Sequence, residues 1–221
     1  MTIDLAGKTV VLTGASGRLG RVLTRRLLKS GATVAGLDRS ADAAADADRL
    51  HLFQADLVDE AAVQAAFGQV TEQLGAPDAL VHTVGMWDGQ PFAETSLADW
   101  ETMLRVNLTS GFLCFREAVR QMDGRSGRLV GIASRQGAEG GVAEQAAYSA
   151  SKAGIVRLVE SVAAEYAGQG ITAAAVAPST ILFEGDSGEG VSAEHVAERC
   201  AMLCSDAGAE HSGEVLRAYG A

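Results

Sequence analysis

A short apolar run, Lys8-Thr9-Val10-Val11-Leu12-Thr13, feeds straight into Gly14-Ala15-Ser16-Gly17-Arg18-Leu19-Gly20 and then into an amphipathic stretch ending near Ser30. No other feature limits the fold as sharply. β-Branched apolar residues followed by a helical pattern predict a buried strand, a turn and a helix. Glycines every third residue allow a tight bend and let a diphosphate approach the backbone closely. The helix then points its free N–H groups and positive dipole end at that diphosphate. A second strand, 33–37, ends at Asp38, 18 positions after Gly20, where a carboxylate can accept hydrogen bonds from an adenosine ribose. Together these parts predict a dinucleotide site. Its phosphate turn is Gly14, Ser16, Gly17, Arg18, Leu19 and Gly20, and its adenosine end is Asp38 and Arg39.

The remainder alternates in the same manner, without a linker or strong repeat. Strands are expected at 8–13, 33–37, 51–54, 79–84, 128–133, 171–176 and 214–218, and helices near 18–30, 59–74, 97–122, 146–168 and 192–204. That order predicts an α/β fold: a doubly wound parallel sheet of about seven strands, Rossmann-like, with helices on both faces. At 221 residues, 48% of them hydrophobic, the chain suits a single dinucleotide-binding domain, 1–221. The Ala-rich stretch 41–48 reads as a surface connection on the adenine side. The formal charge of −10 argues against nucleic acid or an anionic membrane as a partner. No apolar stretch reaches the ~18 residues of a membrane span and no leader pattern opens the chain, so a cytoplasmic location is expected. Cys114, Cys200 and Cys204 come without a completing ligand pattern, so buried thiols are expected and no metal site.

Chemistry concentrates at Tyr148-Ser149-Ala150-Ser151-Lys152. The i, i+4 spacing puts the phenol and the ammonium on one helical face. A phenol titrates near 10, and bringing it towards 7 takes about 4 kcal/mol of differential stabilisation. A fixed cation one turn away favours the phenolate, and a bound cofactor's positive charge would add to it. Ser134 follows the apolar run Arg128-Leu129-Val130-Gly131-Ile132-Ala133, at the strand edge where open α/β sheets bind ligands. Asn107 lies mid-helix in Met103-Leu104-Arg105-Val106-Asn107-Leu108, an unusual place for an amide.

In combination these motifs resemble the short-chain dehydrogenase/reductase family over essentially the whole chain. Thr13 to Gly20 resembles its cofactor turn, Asp56, followed by Leu57, its adenine contact, and Val81-His82-Thr83-Val84-Gly85 its fourth-strand motif. Asn107, Ser134, Tyr148 and Lys152 match its catalytic tetrad. Ala177-Pro178-Ser179-Thr180 resembles its nicotinamide-side loop. The resemblance implies an NAD(P)-dependent oxidoreductase that interconverts a carbonyl and a secondary alcohol. Tyr148 would be the general acid/base and Ser134 would hold the substrate oxygen. Lys152 would act on the tyrosine and the nicotinamide ribose, and Asn107 would hold a water linking Lys152 to solvent. Gly85, Pro178, Thr180, Tyr148 and Lys152 would join the cofactor contacts.

Asp38 favours NAD over NADP by repelling the 2′-phosphate, while Arg18 and Arg39 are cations that could soften that preference. A non-catalytic dinucleotide-binding redox sensor is the alternative, and a nucleotide-sugar epimerase a lesser one that draws on the glycine spacing. Four departures from the pattern stand out, one of them Ser179 after Pro178, where the family's shorter branch usually has glycine. His82, Thr83 and Val84 replace the usual Asn-Asn-Ala, with a structural histidine preferred over a catalytic one. The glycines follow the spacing of the family's longer, epimerase-like branch. The segment 181–191 is short, which predicts an open substrate side. Apolar residues on more than one face of the helices at 97–122 and 146–168 predict a homodimer or homotetramer.

Overall fold

In β1 (Thr9–Thr13) every residue is buried, as expected of a parallel strand covered on both faces. The computed structural model describes residues 3–40, 48–122 and 124–220; positions 41–47 of the Ala-rich connection lie outside them. The chain continues through α1 (Arg18–Lys29), β2 (Thr33–Asp38), β3 (Leu50–Gln54), α2 (Glu60–Leu74), β4 (Ala79–His82), α3 (Leu97–Leu104) and α4 (Ser110–Met122). β5 (Gly127–Ile132), α5 (Arg135–Ala138), α6 (Ala146–Glu165), β6 (Ile171–Pro178), β7 (Ile181–Leu182), β8 (Val191–Ser192), α7 (Ala193–Cys204) and β9 (Val215–Ala218) complete it.

Seven strands form one parallel sheet in the order β3-β2-β1-β4-β5-β6-β9. Alternate side chains feed two cores. Val10 and Leu12 join Leu23 and Leu27 of α1 and Val196 and Cys200 of α7 on one face. Val11 joins Phe67 of α2, Phe115 of α4 and Ile155 of α6 on the other. Cys114, Cys200 and Cys204 are fully buried, and burial pushes their thiols up. Among the described residues no helix is long and apolar enough to cross a membrane.

The expected helix 97–122 is interrupted. A π-helical turn, Arg105–Thr109, separates α3 from α4 and carries Asn107. Such wide turns relax the helical ladder and cluster at functional sites. The apolar and amphipathic pattern runs through the break, so periodicity cannot reveal it. The fourth strand also ends at His82, two residues earlier than expected, because Thr83 turns to donate its hydroxyl to the Thr13 carbonyl at 2.6 Å.

β1 and β4 are neighbours from which the chain winds outward in opposite senses, and their ends open a crevice. His82 fastens that junction. Its Nδ1 lies 3.0 Å from Thr13 Oγ1 and its Nε2 3.2 Å from Ser110 Oγ. Ser110 donates its own proton to the Val106 carbonyl at 2.5 Å, so it accepts from Nε2–H and leaves Nδ1 to accept from Thr13. His82 is therefore neutral and satisfied, with burial first and Lys152 second pulling its pKa down to about 3. Below about 6.5 the unfolded chain takes up a proton here that the folded chain refuses until about pH 3. Stability should accordingly fall as pH drops through that window, by up to about 1.4 kcal/mol per pH unit from this residue. Urea unfolding at several pH values should show a shallower acid slope for His82→Asn than for the wild type; identical slopes would assign the acid sensitivity elsewhere.

Candidate active site

Gly14 adopts a φ of +68°, and a Cβ there would meet Thr83 Oγ1 at 2.8 Å. At Gly20 a Cβ would lie 2.0 Å from the Gly14 carbonyl oxygen, so only glycine lets α1 start this close to the turn. The helix N-cap is Gly17, with no side-chain cap, as also at Gln145 of α6, whereas Asp59, Ser96, Ser134 and Ser192 cap α2, α3, α5 and α7. The α1 amides are left for an anion. A groove of about 560 Å³ runs past this turn, lined among others by Gly14, Gly17, Leu19, Gly20, Asp38 and Arg39, and by Asp56, Leu57 and Gly85. Ser16 fixes the acid at its far end: its N–H donates to Asp38 Oδ2 at 3.0 Å, and the Ser40 N–H reaches Oδ1 at 3.3 Å. An uncapped helix start, a glycine cradle and a fixed carboxylate fit a dinucleotide.

A second cleft of about 670 Å³ adjoins the first and shares Arg18, Leu19, Thr83, Gly85 and Met86 with it. Ser134, Tyr148, Lys152, Pro178 and Thr180 line it. Ser134 is the N-cap of α5, its hydroxyl accepting from the Gly137 N–H at 3.1 Å. Lys152 is buried, and its ammonium donates to the Ile132 carbonyl at 2.9 Å; burial brings its pKa down to about 8. Ser179, where the family usually has glycine, ties the loop to β9: its N–H donates to the Ala218 carbonyl at 3.0 Å and its hydroxyl to that of Tyr219 at 2.7 Å.

One expectation needs correction, and the structure adds detail to two others. Protein groups alone do not depress the Tyr148 phenol: burial raises it and the Ser134 hydroxyl offsets only part of that. The Lys152 charge is spent on Ile132 instead. Asn107 does not line the cleft but stands behind it. Its amide accepts from the Met86 N–H at 2.7 Å and donates to the Met86 carbonyl at 2.9 Å and to Ser151 Oγ at 3.0 Å. The segment 181–191 is short, and it forms no helix over the cleft. Its ends pair as β7 and β8, and Asp186 at its tip binds Arg18 at 2.9 Å.

Sequence reasoning passed over Gly137. A Cβ there would meet the Lys152 carbonyl carbon at 2.5 Å and its oxygen at 2.7 Å. α5 can therefore lie on α6 only through this glycine, and that contact sets Ser134 against Tyr148. The signal was a glycine three residues after Ser134, legible only once α5 is known to touch α6.

A family profile described as short chain dehydrogenase matches residues 8–187. A 3-oxoacyl-[acyl-carrier-protein] reductase of Aquifex aeolicus is 31% identical, covering 100% of this chain and 99% of its own length. An NAD(+)-dependent 2-dehydro-3-deoxy-L-rhamnonate dehydrogenase of a Sphingomonas species is 35% identical over 79% of this chain and 72% of its own. A solved dehydrogenase/reductase from Sinorhizobium meliloti superposes with a TM-score of 0.86 at 28% identity, covering 98% of this chain and 95% of the other. The chain belongs to the short-chain dehydrogenase/reductase family. It is an oxidoreductase of the NAD(P)-dependent carbonyl/alcohol kind.

If Gly137 sets the distance between Ser134 and Tyr148, Gly137→Ala should lower turnover by about 10²-fold, the scale of a misplacement near 1 Å. Dinucleotide affinity should stay within about threefold, since the glycine turn is untouched. Turnover equal to wild type in steady-state assays would show that α5 accommodates the methyl.

Proposed function

We propose that the protein interconverts a ketone and a secondary alcohol with Tyr148 as general acid and base. The observation that carries this reading is the convergence of Ser134, Tyr148 and Lys152 on one cleft that adjoins the glycine-turn groove. When bound, the nicotinamide supplies or accepts the hydride. Tyr148 gives its phenolic proton to the carbonyl oxygen during reduction and takes the alcohol proton during oxidation. Ser134 donates a hydrogen bond to that same oxygen and shares its developing charge. Lys152 provides a buried ammonium that would hold the nicotinamide ribose and, with the cofactor's positive charge added to its own, would favour the phenolate. Asn107 is a positioning residue: it clamps the Met86 backbone, and its Oδ1 and Lys152 Nζ each lie 3.1 Å from the point where a Gly85 Cβ would sit. A water held between the amide and the ammonium would link Lys152 to solvent.

This reading makes the redox-sensor alternative unnecessary, since a sensor has no use for Ser134 and Tyr148 at one oxygen. The substrates that the relatives' names give, an acyl group on a carrier protein and a sugar acid, differ too much to carry over. A second copy of the chain is the partner that the α4–α6 face supports. Phe115, Ile155 and Val159 turn to the sheet, while Phe112, 43% exposed, lies with Val119, Leu158 and Val162 along an outer groove. That face suits a homodimer, or a homotetramer through a further interface.

NAD is the preferred cofactor in this reading. The Asp38 carboxylate is held by two backbone N–H groups and cannot swing away from a 2′-phosphate. Arg18, one of the two cations that could offset it, is occupied by Asp186; Arg39 lines the groove and is exposed.

Two substitutions test these assignments. Tyr148→Phe keeps the ring and should cut turnover by about 10²-fold or more while dinucleotide affinity holds; turnover at the original rate would remove Tyr148 from the chemistry. Asp38→Ala should raise NADP affinity relative to NAD by about tenfold or more, the worth of one charge contact. Titration of both cofactors showing equal wild-type affinities would refute the preference.

A further inference from the structure

Arg18 stands where the two clefts meet, at the first turn of α1, and lines both. It is the cation placed to receive an anionic group on a substrate, but its charge is already answered. Its Nη2 donates to both Asp186 oxygens, at 2.9 and 3.1 Å, and its guanidinium lies 4.0 Å over the Phe183 ring. Asp186 is fixed in turn, accepting from the Phe183 N–H at 3.1 Å while its own N–H donates to the Phe183 carbonyl at 2.9 Å. The pairing of β7 with β8 and the Val191 N–H bond to the Thr180 carbonyl at 2.9 Å anchor the loop that carries them. The Phe183 N–H first and Arg18 second hold the Asp186 carboxyl below its usual range, so it is charged.

Among the described residues the other cation lining this cleft is Lys152, buried and bonded to Ile132. Arg135, next to Ser134 in sequence, instead faces the Tyr219 ring at 5.4 Å. Against this, the apolar walls lack cover. Trp87 is 62% and Met86 37% exposed, and both line the cleft with Phe183 beside Ser134 and Tyr148. Apolar side chains left open at a site want an apolar ligand. A carboxylate brought there would find the exposed cation of the cleft, Arg18, already paired with Asp186.

We propose that the substrate of this site is uncharged: a ketone or secondary alcohol on a flat apolar body, aromatic or alicyclic, without a carboxylate or phosphate. The Arg18–Asp186 pair excludes the anions, and Trp87, Met86 and Phe183 take the ring. The proposal rests on the oxidoreductase reading above and names the class of molecule that the same cleft accepts.

Calorimetric titration of the protein loaded with oxidised NAD, which cannot reduce a ketone, with a matched pair, acetophenone and para-acetylbenzoate, tests it. The two share ring and ketone and differ in one carboxylate. Acetophenone should bind about tenfold or more tightly than the acid, the scale of one unpaired charge. In Asp186→Asn, which frees Arg18, the acid should gain about threefold or more while acetophenone is unchanged. Trp87→Ala should weaken acetophenone by about fivefold or more. Equal or tighter binding of the acid to the wild type, an unchanged acid affinity in Asp186→Asn, or no binding of either compound at millimolar concentration would each overturn the proposal. Binding is read without turnover, so failure of Tyr148 as the acid/base and failure of this substrate class are separate results.

Discussion

One line of hydrogen bonds holds the centre of this protein. It runs from the Val106 carbonyl through Ser110, His82 and Thr13 to the Thr83 N–H. It joins β4 to β1 and to the π-helical turn, and so fixes three parts of the site at once. β1 delivers the glycine turn, β4 delivers Gly85, and the turn delivers Asn107. A buried imidazole at this place must stay neutral and satisfied at both nitrogens, because an unpaired nitrogen in this core would cost about 1–3 kcal/mol. The imidazole reaches two elements in opposite directions, Thr13 of β1 and Ser110 at the start of α4.

Much of this architecture was legible in the chain itself. Val10, Val11 and Leu12 declare a strand covered on both faces, and the glycine spacing from Gly14 to Gly20 declares a tight turn into a helix. The seven strands stand within two residues of where alternation and turn signals put them, because backbone hydrogen bonding and burial act locally there. Asp38 was readable at its distance from the glycines, since β2 and the turn are neighbours by necessity.

Contacts distant in sequence set the features that stayed hidden. The π-helical turn leaves the apolar pattern intact, so nothing at Arg105–Thr109 announces it. The direction of the Tyr148 shift depends on where the Lys152 ammonium points, and the Ile132 carbonyl 20 positions upstream decides that. The Arg18–Asp186 pair spans 168 positions. No local rule makes one acid of the turn-rich segment 183–190 the partner of a residue in the first helix. Site residues with a motif around them were found, and those defined by an approach between elements, such as Gly137, were not.

The glycine at the start of α1 has a thermodynamic meaning beyond making room. Four other helices begin on a side chain that closes their first turn, and α1 begins on Gly17, which closes nothing. Forgoing a hydroxyl there costs only a few tenths of a kcal/mol while water serves the free amides. The diphosphate is thus the capping group that the chain does not encode, and its arrival finishes a piece of secondary structure. Affinity for the ligand and order in the first helix are then one quantity measured in two ways.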